Sequence, residues 1–169
     1  MEPLVEIIIE DQRWNGIDLP ALAERAAQAV FDDQGLDPAL FGVSLMGCDD
    51  ARITVLNGEF RDKAKPTNVL SWPSADLAAD HDGGRPDAPE PFLPDERESV
   101  GDIAIAYETC LREAGEQQKP FADHVTHLLV HGILHLLGYD HIREADARLM
   151  EGTEIRVLDR MGISDPYEI

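Results

Sequence analysis

Three histidines lie close enough in the sequence for one metal ion to reach all of them. His131 and His135 are four residues apart, so on a helix they share one face with about 6 Å of rise between them. A helix continued to His141 would carry that residue about 15 Å beyond His131, too far for zinc with bonds of about 2 Å. Gly138 permits a turn back, because glycine adopts the left-handed conformation without a Cβ clash. The sequence therefore predicts a helix that ends near Gly138. One Zn²⁺ per chain would be held by His131, His135 and His141.

The residue after the first histidine bears on the chemistry. The spacing resembles the metzincin pattern H-E-x-x-H-x-x-G-x-x-H, but the glutamate that acts as general base in those peptidases is Gly132 here. A zinc-bound water would still have its pKa lowered towards about 7. The carboxylate that passes its proton to a leaving amine is missing, and peptide hydrolysis depends on that transfer. Phosphodiester cleavage depends on it less if a cation stabilises the developing charge, so the peptidase interpretation is weakened.

Two other interpretations of these histidines exist. They could be core or surface residues that bind no metal, although a helix-ending glycine between the second and third favours a site. They could also hold a structural zinc, but such sites are normally closed by cysteine, and Cys48 and Cys110 form no C-x-x-C pair. Three protein ligands would leave a fourth position open for water, which is typical of a catalytic zinc.

The run from His131 to His141 resembles the H-G-x-L-H-L-x-G-Y-D-H signature of the YbeY family, the metal-dependent bacterial endoribonucleases of rRNA maturation. Weaker matches follow along most of the chain: Leu56-Asn57 with Arg61, Thr67 to Pro73, Gly101-Asp102-Ile103, and Met161 to Tyr167. Two positions depart from the family pattern. Trp72 replaces a phenylalanine and keeps an aromatic ring, whereas Asn68 replaces an aspartate, so Asn68 is given no acid–base role.

The resemblance implies a function and further site residues. It implies a zinc-dependent endoribonuclease that prefers single strands, matures the 3′ end of small-subunit rRNA and takes part in ribosome quality control. Arg61 would bind the scissile phosphate and stabilise its charge. Asp140 could orient a ligand imidazole or cap the following helix. His127 could line the cleft and contact substrate, support a ligand histidine, or be a satisfied partner in the helix packing, while His124 is expected to be a packing partner.

Two alternative functions remain open. The chain could be a metal-dependent hydrolase of another substrate, such as a degenerate metzincin-like peptidase. It could also be a non-catalytic ribosome-assembly factor with a structural metal. The expected partners are RNA, in particular rRNA, and the small ribosomal subunit or its associated proteins, with no membrane involved.

Composition indicates one soluble domain. A chain of 169 residues can bury a core without disulfides, and no apolar stretch approaches the ~20 residues of a membrane span. The first residues do not resemble a secretory signal, and two distant cysteines suggest free thiols. A cytoplasmic location is therefore expected.

The net charge of −20 opposes binding to a polyanion, but it is unevenly distributed. Residues 1–50 have a net charge of −9 and residues 74–98 one of −6, whereas residues 52–65 have +2. The positive stretch contains Arg61, Lys63 and Lys65, which could equally be a solvated loop. We interpret the acidity as a property of the outer surface and not of the cleft. Because the net charge would repel RNA at long range, we expect a partner to deliver or hold the substrate.

Hydrophobic patterning predicts an α+β fold, with helices packed on a small mixed four-stranded sheet in one domain over residues 1–169. Strands are predicted at 4–9, 41–46, 68–72 and 100–106. Helices are predicted from about Pro20 to Gly35 with Asp18 as cap, from Asp49-Asp50 to Phe60, over 107–118, over 121–137 and over 143–161.

The pattern is interrupted between residues 74 and 98. Prolines, a Gly-Gly pair and many acids predict a disordered surface loop, not a domain boundary. His81 is expected to be exposed, and Phe92 and Leu93 are expected not to enter the core. The alternative is a regulatory or substrate-covering lid.

Overall fold

The structure is a computed structural model that describes residues 3–79, 83–90 and 97–167. In chain order its elements are β1 (Val5–Ile9), α1 (Leu19–Gln34), β2 (Phe41–Cys48), α2 (Asp50–Arg61), β3 (Val69–Pro73), β4 (Glu98–Ala106), α3 (Tyr107–Glu116), α4 (Phe121–Leu136) and α5 (Glu144–Arg160). The described residues thus form a four-stranded sheet and five α-helices, which confirms the predicted α+β class.

The sheet is mixed and has the order β1-β2-β4-β3. Strands β1, β2 and β4 run parallel, and β3 pairs antiparallel with β4, with Ser71 opposite Ile103. Alternate side chains of a strand face opposite sides, so Ile103 enters the main core with α1 and α4 while Ala104 faces α2. Helix α4 packs on β3 and β4 and also contacts α1, α3 and α5. It is therefore surrounded by other elements, in agreement with its largely apolar sequence.

The predicted local signals at the first two helices have different outcomes, and one short helix was not predicted. Asp49 caps α2 as predicted, because its Oδ1 accepts from Arg52 N at 2.8 Å. Asp18 occupies the position before α1, but it has a left-handed backbone (φ 49°) and its side chain makes no capping bond, so the predicted side-chain cap is wrong. A 3₁₀ helix at Gln12–Ile17 was not predicted; it buries Trp14, whose Nε1 donates to the carbonyl of Cys48 at 2.9 Å.

The segment 74–98 is described only in part. The amide of Gly83 donates to Asp146 Oδ1 of α5 at 2.7 Å, and Asp87 N donates to the carbonyl of Leu77 at 2.9 Å. His81, Phe92 and Leu93 lie outside the described residues, so the expectations for them and for disorder in this segment stay predictions. Among the helices that the structure describes, none has the length and apolarity to cross a membrane.

Candidate active site

The chain reverses direction directly after α4, as the histidine spacing requires. The helix ends at Leu136, and Gly138 has a φ of 102°, in the region that favours glycine. A Cβ on Gly138 would also lie 2.7 Å from the carbonyl carbon and oxygen of Leu77. Both the backbone conformation and the close approach of Leu77 therefore favour glycine at this turn.

Two of the three candidate ligands have their rings oriented by hydrogen bonds. Nδ1 of His131 lies 3.1 Å from Glu154 Oε2, and Nδ1 of His135 lies 3.0 Å from the carbonyl of Tyr139. Both partners are acceptors, so this network assigns the ring proton to Nδ1 in each case. The Nε2 lone pair of each imidazole is then available for a metal, the arrangement that supports ligand histidines in metal sites.

Glu154 provides the buried support for this end of the site. Its side chain has no exposed surface, and its Oε1 accepts from His127 Nε2 and from the Tyr167 hydroxyl, both at 2.7 Å. Burial by itself raises the pKa of the Glu154 carboxyl. Hydrogen bonds from His127 and His131 lower the pKa by more than burial raises it, so it falls to about 2. Glu154 therefore remains a carboxylate that aligns two imidazoles of α4.

The third histidine lies beside the first. The ring centroids of His131 and His141 are 5.2 Å apart, and the His141 side chain is 56 % exposed in the loop before α5. Asp140 Oδ1 accepts from the backbone N of His141 at 2.7 Å and lies 3.6 Å from its Nδ1. Asp140 thus shapes the local backbone, and its predicted support of a ligand ring stays a prediction.

The donor chemistry fits zinc, although the described parts of the chain contain no group of three His, Cys, Asp or Glu side chains already arranged to hold a metal. His131, His135 and His141 all line one cleft of about 530 Å³. Imidazoles suit zinc, and two of these three have their non-binding nitrogens already paired. The predicted ligand set is therefore compatible with the geometry and stays a prediction.

The opposite wall of this cleft carries positive charge. Arg61, in the last turn of α2, lines the cleft and donates from Nη2 to the carbonyl of Ser71 at 3.0 Å. Neither Asp62 nor Asp102 pairs with it, and no carboxylate in residues 3–79, 83–90 or 97–167 lies within 4.0 Å of its guanidinium nitrogens. The remaining N–H groups of Arg61 are thus not engaged by an acid.

Two lysines extend this wall along the loop after α2. Asn57 holds the loop, because its Nδ2 donates to the carbonyl of Lys65 at 3.0 Å and its own carbonyl accepts from Lys63 N at 3.2 Å. The side chains of Lys63 and Lys65 are exposed and line the cleft. The locally positive stretch predicted from the sequence therefore faces the same cleft as the histidines.

The two histidines earlier in α4 do not line the cleft, and each is paired with a glutamate. His127 is paired with Glu154 and is absent from the cleft lining, so it supports His131 indirectly through that carboxylate. Its proposed contact with substrate stays a prediction. His124 is 3 % exposed and its Nε2 lies 3.0 Å from Glu113 Oε1, the packing role expected for it.

Gly132 lies where α4 packs against β3 and β4 of the sheet. A Cβ there would be 3.2 Å from Ile103 Cδ1 and 3.5 Å from Ser71 Oγ. Any larger side chain at this position would require Ile103 to move by a few tenths of an ångström. The glycine thus serves the helix–sheet contact, which gives a physical reason for the missing peptidase base.

Two glutamates of the site were missed at the sequence level. Glu154 lies four residues after Met150 and four before Leu158, and both of these residues are fully buried. A charged residue on this apolar stripe of α5 indicates a buried polar partner, which the sequence could have revealed. Glu113 lines the cleft and receives a hydrogen bond from Asn68 Nδ2 at 3.0 Å. No local pattern marks Glu113, because its partners come from the residue before β3 and from α4.

Comparison with known proteins agrees with the motif resemblance. A family described as Endoribonuclease YbeY matches residues 7–162. A protein of Cereibacter sphaeroides named Endoribonuclease YbeY is 60% identical over 167 residues, covering 99% of this chain and 100% of its own length. One of Ruegeria pomeroyi with the same name is 60% identical over 163 residues, covering 96% and 97%.

A solved structure shares the fold. The solution structure of a Thermotoga maritima protein superposes with a TM-score of 0.56 over 98% of this chain and 99% of that one, at 21% sequence identity. At this identity the similarity supports the architecture and not the chemistry.

Proposed function

The chain belongs to the YbeY endoribonuclease family, and from that premise we propose that it is a zinc-dependent endoribonuclease. It would prefer single-stranded RNA, mature the 3′ end of small-subunit rRNA and take part in ribosome quality control in the cytoplasm. The observation that supports this most directly is that Arg61, with no acidic partner in the described residues, shares one cleft with the three histidines.

Zinc would be held by His131, His135 and His141. When bound, it would supply a Lewis acid and lower the pKa of a coordinated water at neutral pH. Glu154 and the Tyr139 carbonyl support this by keeping the Nδ1 protons of His131 and His135 in place. These two imidazoles then need no reorientation before they bind.

Arg61 would bind the scissile phosphate. A guanidinium is planar, and its N–H donors match two phosphate oxygens. One nitrogen of Arg61, Nη2, is held in place by its hydrogen bond to the Ser71 carbonyl. The remaining donors would stabilise the negative charge that grows on those oxygens during attack. Lys63 and Lys65 would attract the flanking phosphates.

The distribution of charge favours a short single-stranded substrate. The cleft rim is locally positive, whereas the chain as a whole carries −20. A long duplex would bring many phosphates against acidic surface at a cost in affinity. A few unpaired nucleotides would meet mainly the cleft, and the small ribosomal subunit or its associated proteins would bring them there.

The two alternatives predict different behaviour. Peptide hydrolysis is disfavoured because Gly132 provides no general base and packs against Ile103. A binding factor with a structural metal would hold RNA or ribosomal proteins without cutting them. In that case the zinc held by the same three histidines would have no coordination position open for water.

The test combines metal analysis with cleavage on one preparation. Purified protein should contain one zinc per chain and cut an unstructured RNA oligonucleotide faster than the same sequence in a duplex. A chelator should abolish cutting, and added Zn²⁺ should restore it. Casein and short peptides should stay intact, also with Gly132→Glu. Zinc-loaded protein that binds the RNA without cutting would instead favour the assembly-factor alternative, and zinc-dependent peptide cleavage would favour the peptidase.

A further inference from the structure

One carboxylate lies in a cleft that is otherwise lined by cationic and neutral side chains. Among the described lining residues, Glu113 of α3 is the acid, whereas Arg61, Lys63, Lys65 and Arg112 supply positive charge. A carboxylate repels phosphate, so Glu113 is unsuited to the backbone of the RNA that the proposed function places here. It would suit a hydrogen-bond donor on another part of a nucleotide.

Glu113 is fixed in place by two neighbours. Its Oε1 lies 3.0 Å from His124 Nε2 and 3.0 Å from Asn68 Nδ2, and its Oε2 lies 3.3 Å from the same Asn68 nitrogen. Nδ1 of His124 is buried without a partner in the described residues, so the network assigns the ring proton to Nε2, facing Glu113. Oε1 therefore already accepts two hydrogen bonds, while Oε2 has one longer contact with Asn68 and keeps free acceptor capacity.

The free capacity of Glu113 faces solvent in the cleft. Its side chain is 27% exposed, whereas that of His124, which holds it, is 3% exposed. An acceptor that is oriented by the protein and reachable by a ligand is the usual form of a recognition group in a binding pocket. Glu154, by contrast, has no exposed surface and can only support other residues.

Glu113 is too far from the zinc candidates to act on an attacking water. It contacts His124, which precedes His131 by seven residues on α4, or about 10 Å along the helix axis. A general base must lie within about 3.2 Å of its proton or reach it through one water. The position of Glu113 therefore corresponds to a nucleotide beside the reacting one.

We propose that Glu113 reads a base next to the cleavage position by accepting a hydrogen bond from its exocyclic amino group. This rests on the proposed function of the cleft and adds a specificity subsite to it. Adenine, cytosine and guanine carry such an amino group, and carboxylates accept from it in nucleic-acid complexes. Uracil offers one ring N–H between two carbonyl oxygens that would face the carboxylate, so uracil is disfavoured at this position. Unpaired bases expose these edges, which agrees with a single-stranded substrate.

The first experiment compares RNAs that differ at one position. Unstructured oligonucleotides carry A, C, G or U at each position flanking the cut, and both cleavage rate and binding in the presence of chelator are measured. At one flanking position wild-type protein should favour the amino-bearing bases over U by about 10-fold to 100-fold. Replacing that adenine by purine, or guanine by inosine, removes only the amino group and should cause most of the same loss.

The second experiment changes the protein. Glu113→Gln can present either a carbonyl or an NH₂ group, so its discrimination against U should fall to about threefold or less, with zinc content and melting temperature retained. Glu116→Gln is the matched control, because Glu116 lies on the same helix in an exposed, 3.6 Å ion pair with Arg112. It should keep the wild-type preference.

The outcomes separate this inference from the proposed function. Wild type that cuts RNA equally well with every base, or with purine in place of adenine, overturns the subsite and leaves the ribonuclease assignment intact. Unchanged discrimination in Glu113→Gln also overturns it. If that variant fails to fold, the amino-deleted bases on wild type still decide. Protein that neither cuts nor binds any of the RNAs overturns the proposed function and the subsite together.

Discussion

The two walls of the cleft are constructed differently. On the α4 wall, His131 and His135 each have a ring nitrogen bonded to an acceptor inside the protein, one of them the fully buried Glu154. On the α2 wall, Arg61 makes one bond to a backbone carbonyl, while Lys63 extends into solvent. The first wall fixes positions and the second supplies charge.

This difference in construction predicts a difference in sensitivity. Hydrogen bonds among buried groups are strong because water does not compete, and breaking one leaves a partner unsatisfied. Exposed charges interact through solvent, and at 0.1 M salt their interactions are largely screened beyond about 10 Å. Substitutions on the histidine wall should therefore act on metal content and fold. Those on the cationic wall should act on RNA, with effects that depend on salt.

The largest effect is expected for His131→Ala. Two remaining imidazoles chelate zinc poorly, so the variant should lose most of its bound metal and, with it, cleavage. His135→Ala should behave in the same way, whereas His141→Ala should retain some zinc because Asp140 is adjacent. Zinc content measured on dialysed protein checks this order. Full occupancy in His131→Ala would contradict the proposed ligand set.

The second-largest effect is expected for Arg61→Ala, which tests whether the cationic wall contains one group in a fixed position. Loss of a single donor to the transition state typically costs about 10²–10³ in rate. Melting temperature and zinc content should stay at wild-type values, because Arg61 has no acidic partner in the described residues. Arg61→Lys should recover only part of the rate, since an ammonium lacks the planar fork.

Arg52→Ala is the matched control for Arg61, because Arg52 lies on the same helix but pairs with Glu10 outside the cleft. It should cleave RNA at the wild-type rate. If Arg61→Ala instead loses stability and its activity falls only with the folded fraction, the role of Arg61 is structural. Normal cleavage by stable, zinc-loaded Arg61→Ala would remove this residue from the mechanism.

Glu154→Gln should have a smaller effect, confined to the histidine wall. His127 and His131 donate to different oxygens of Glu154, and in glutamine one of these two positions becomes an NH₂ donor, so one of the ring protons would lose its acceptor. Zinc affinity should fall about 10-fold to 100-fold, as is typical when the support of a ligand is removed. The unsatisfied buried group should also cost about 1–3 kcal/mol of unfolding free energy.

Calorimetry and zinc titration test this on one preparation. Glu151→Gln, on the same helix and only half-buried, should leave both quantities unchanged. Glu154 has no exposed surface, so it cannot contact RNA. Reduced RNA affinity in Glu154→Gln at saturating zinc would therefore contradict the view that the histidine wall affects the metal and the cationic wall affects RNA.

The sequence predicted some parts of this site and missed others for a physical reason. His131, His135 and the turn at Gly138 follow from the period of one helix and the conformational freedom of one glycine, both local properties. Arg61 came from a motif resemblance, since its contact with Ser71 joins two separate elements. The fold shows the same distinction. The positions of most strands and helices follow from local sequence patterns, whereas the order of the strands in the sheet does not.

Glu154 and Glu113 could not be assigned from the sequence because helix packing creates their roles. Glu154 meets His131 across the α4–α5 interface, 23 residues away, and Glu113 meets Asn68 from 45 residues away. A buried charge on an apolar stripe indicates that a partner exists, but it does not identify the partner. The two glutamates differ in exposure, and exposure decides which one a ligand can reach.

The smallest effects are expected for the two lysines of the cationic wall, and they separate diffuse charge from fixed contacts. Lys63→Ala and Lys65→Ala each remove one exposed charge, with no ion pair to break in the described part of the chain. RNA affinity should fall severalfold at low salt, and the slope of log affinity against log salt should decrease by about 0.7 for each phosphate of a single strand that the variant no longer neutralises. Zinc content, melting temperature and the cleavage rate at saturating RNA should not change. Arg25→Ala, an exposed residue of α1 outside the cleft, should leave the salt slope unaltered. A salt-independent decrease in rate in Lys63→Ala would mean that this lysine makes a fixed interaction in the transition state, and the cationic wall would then be as ordered as the histidine wall.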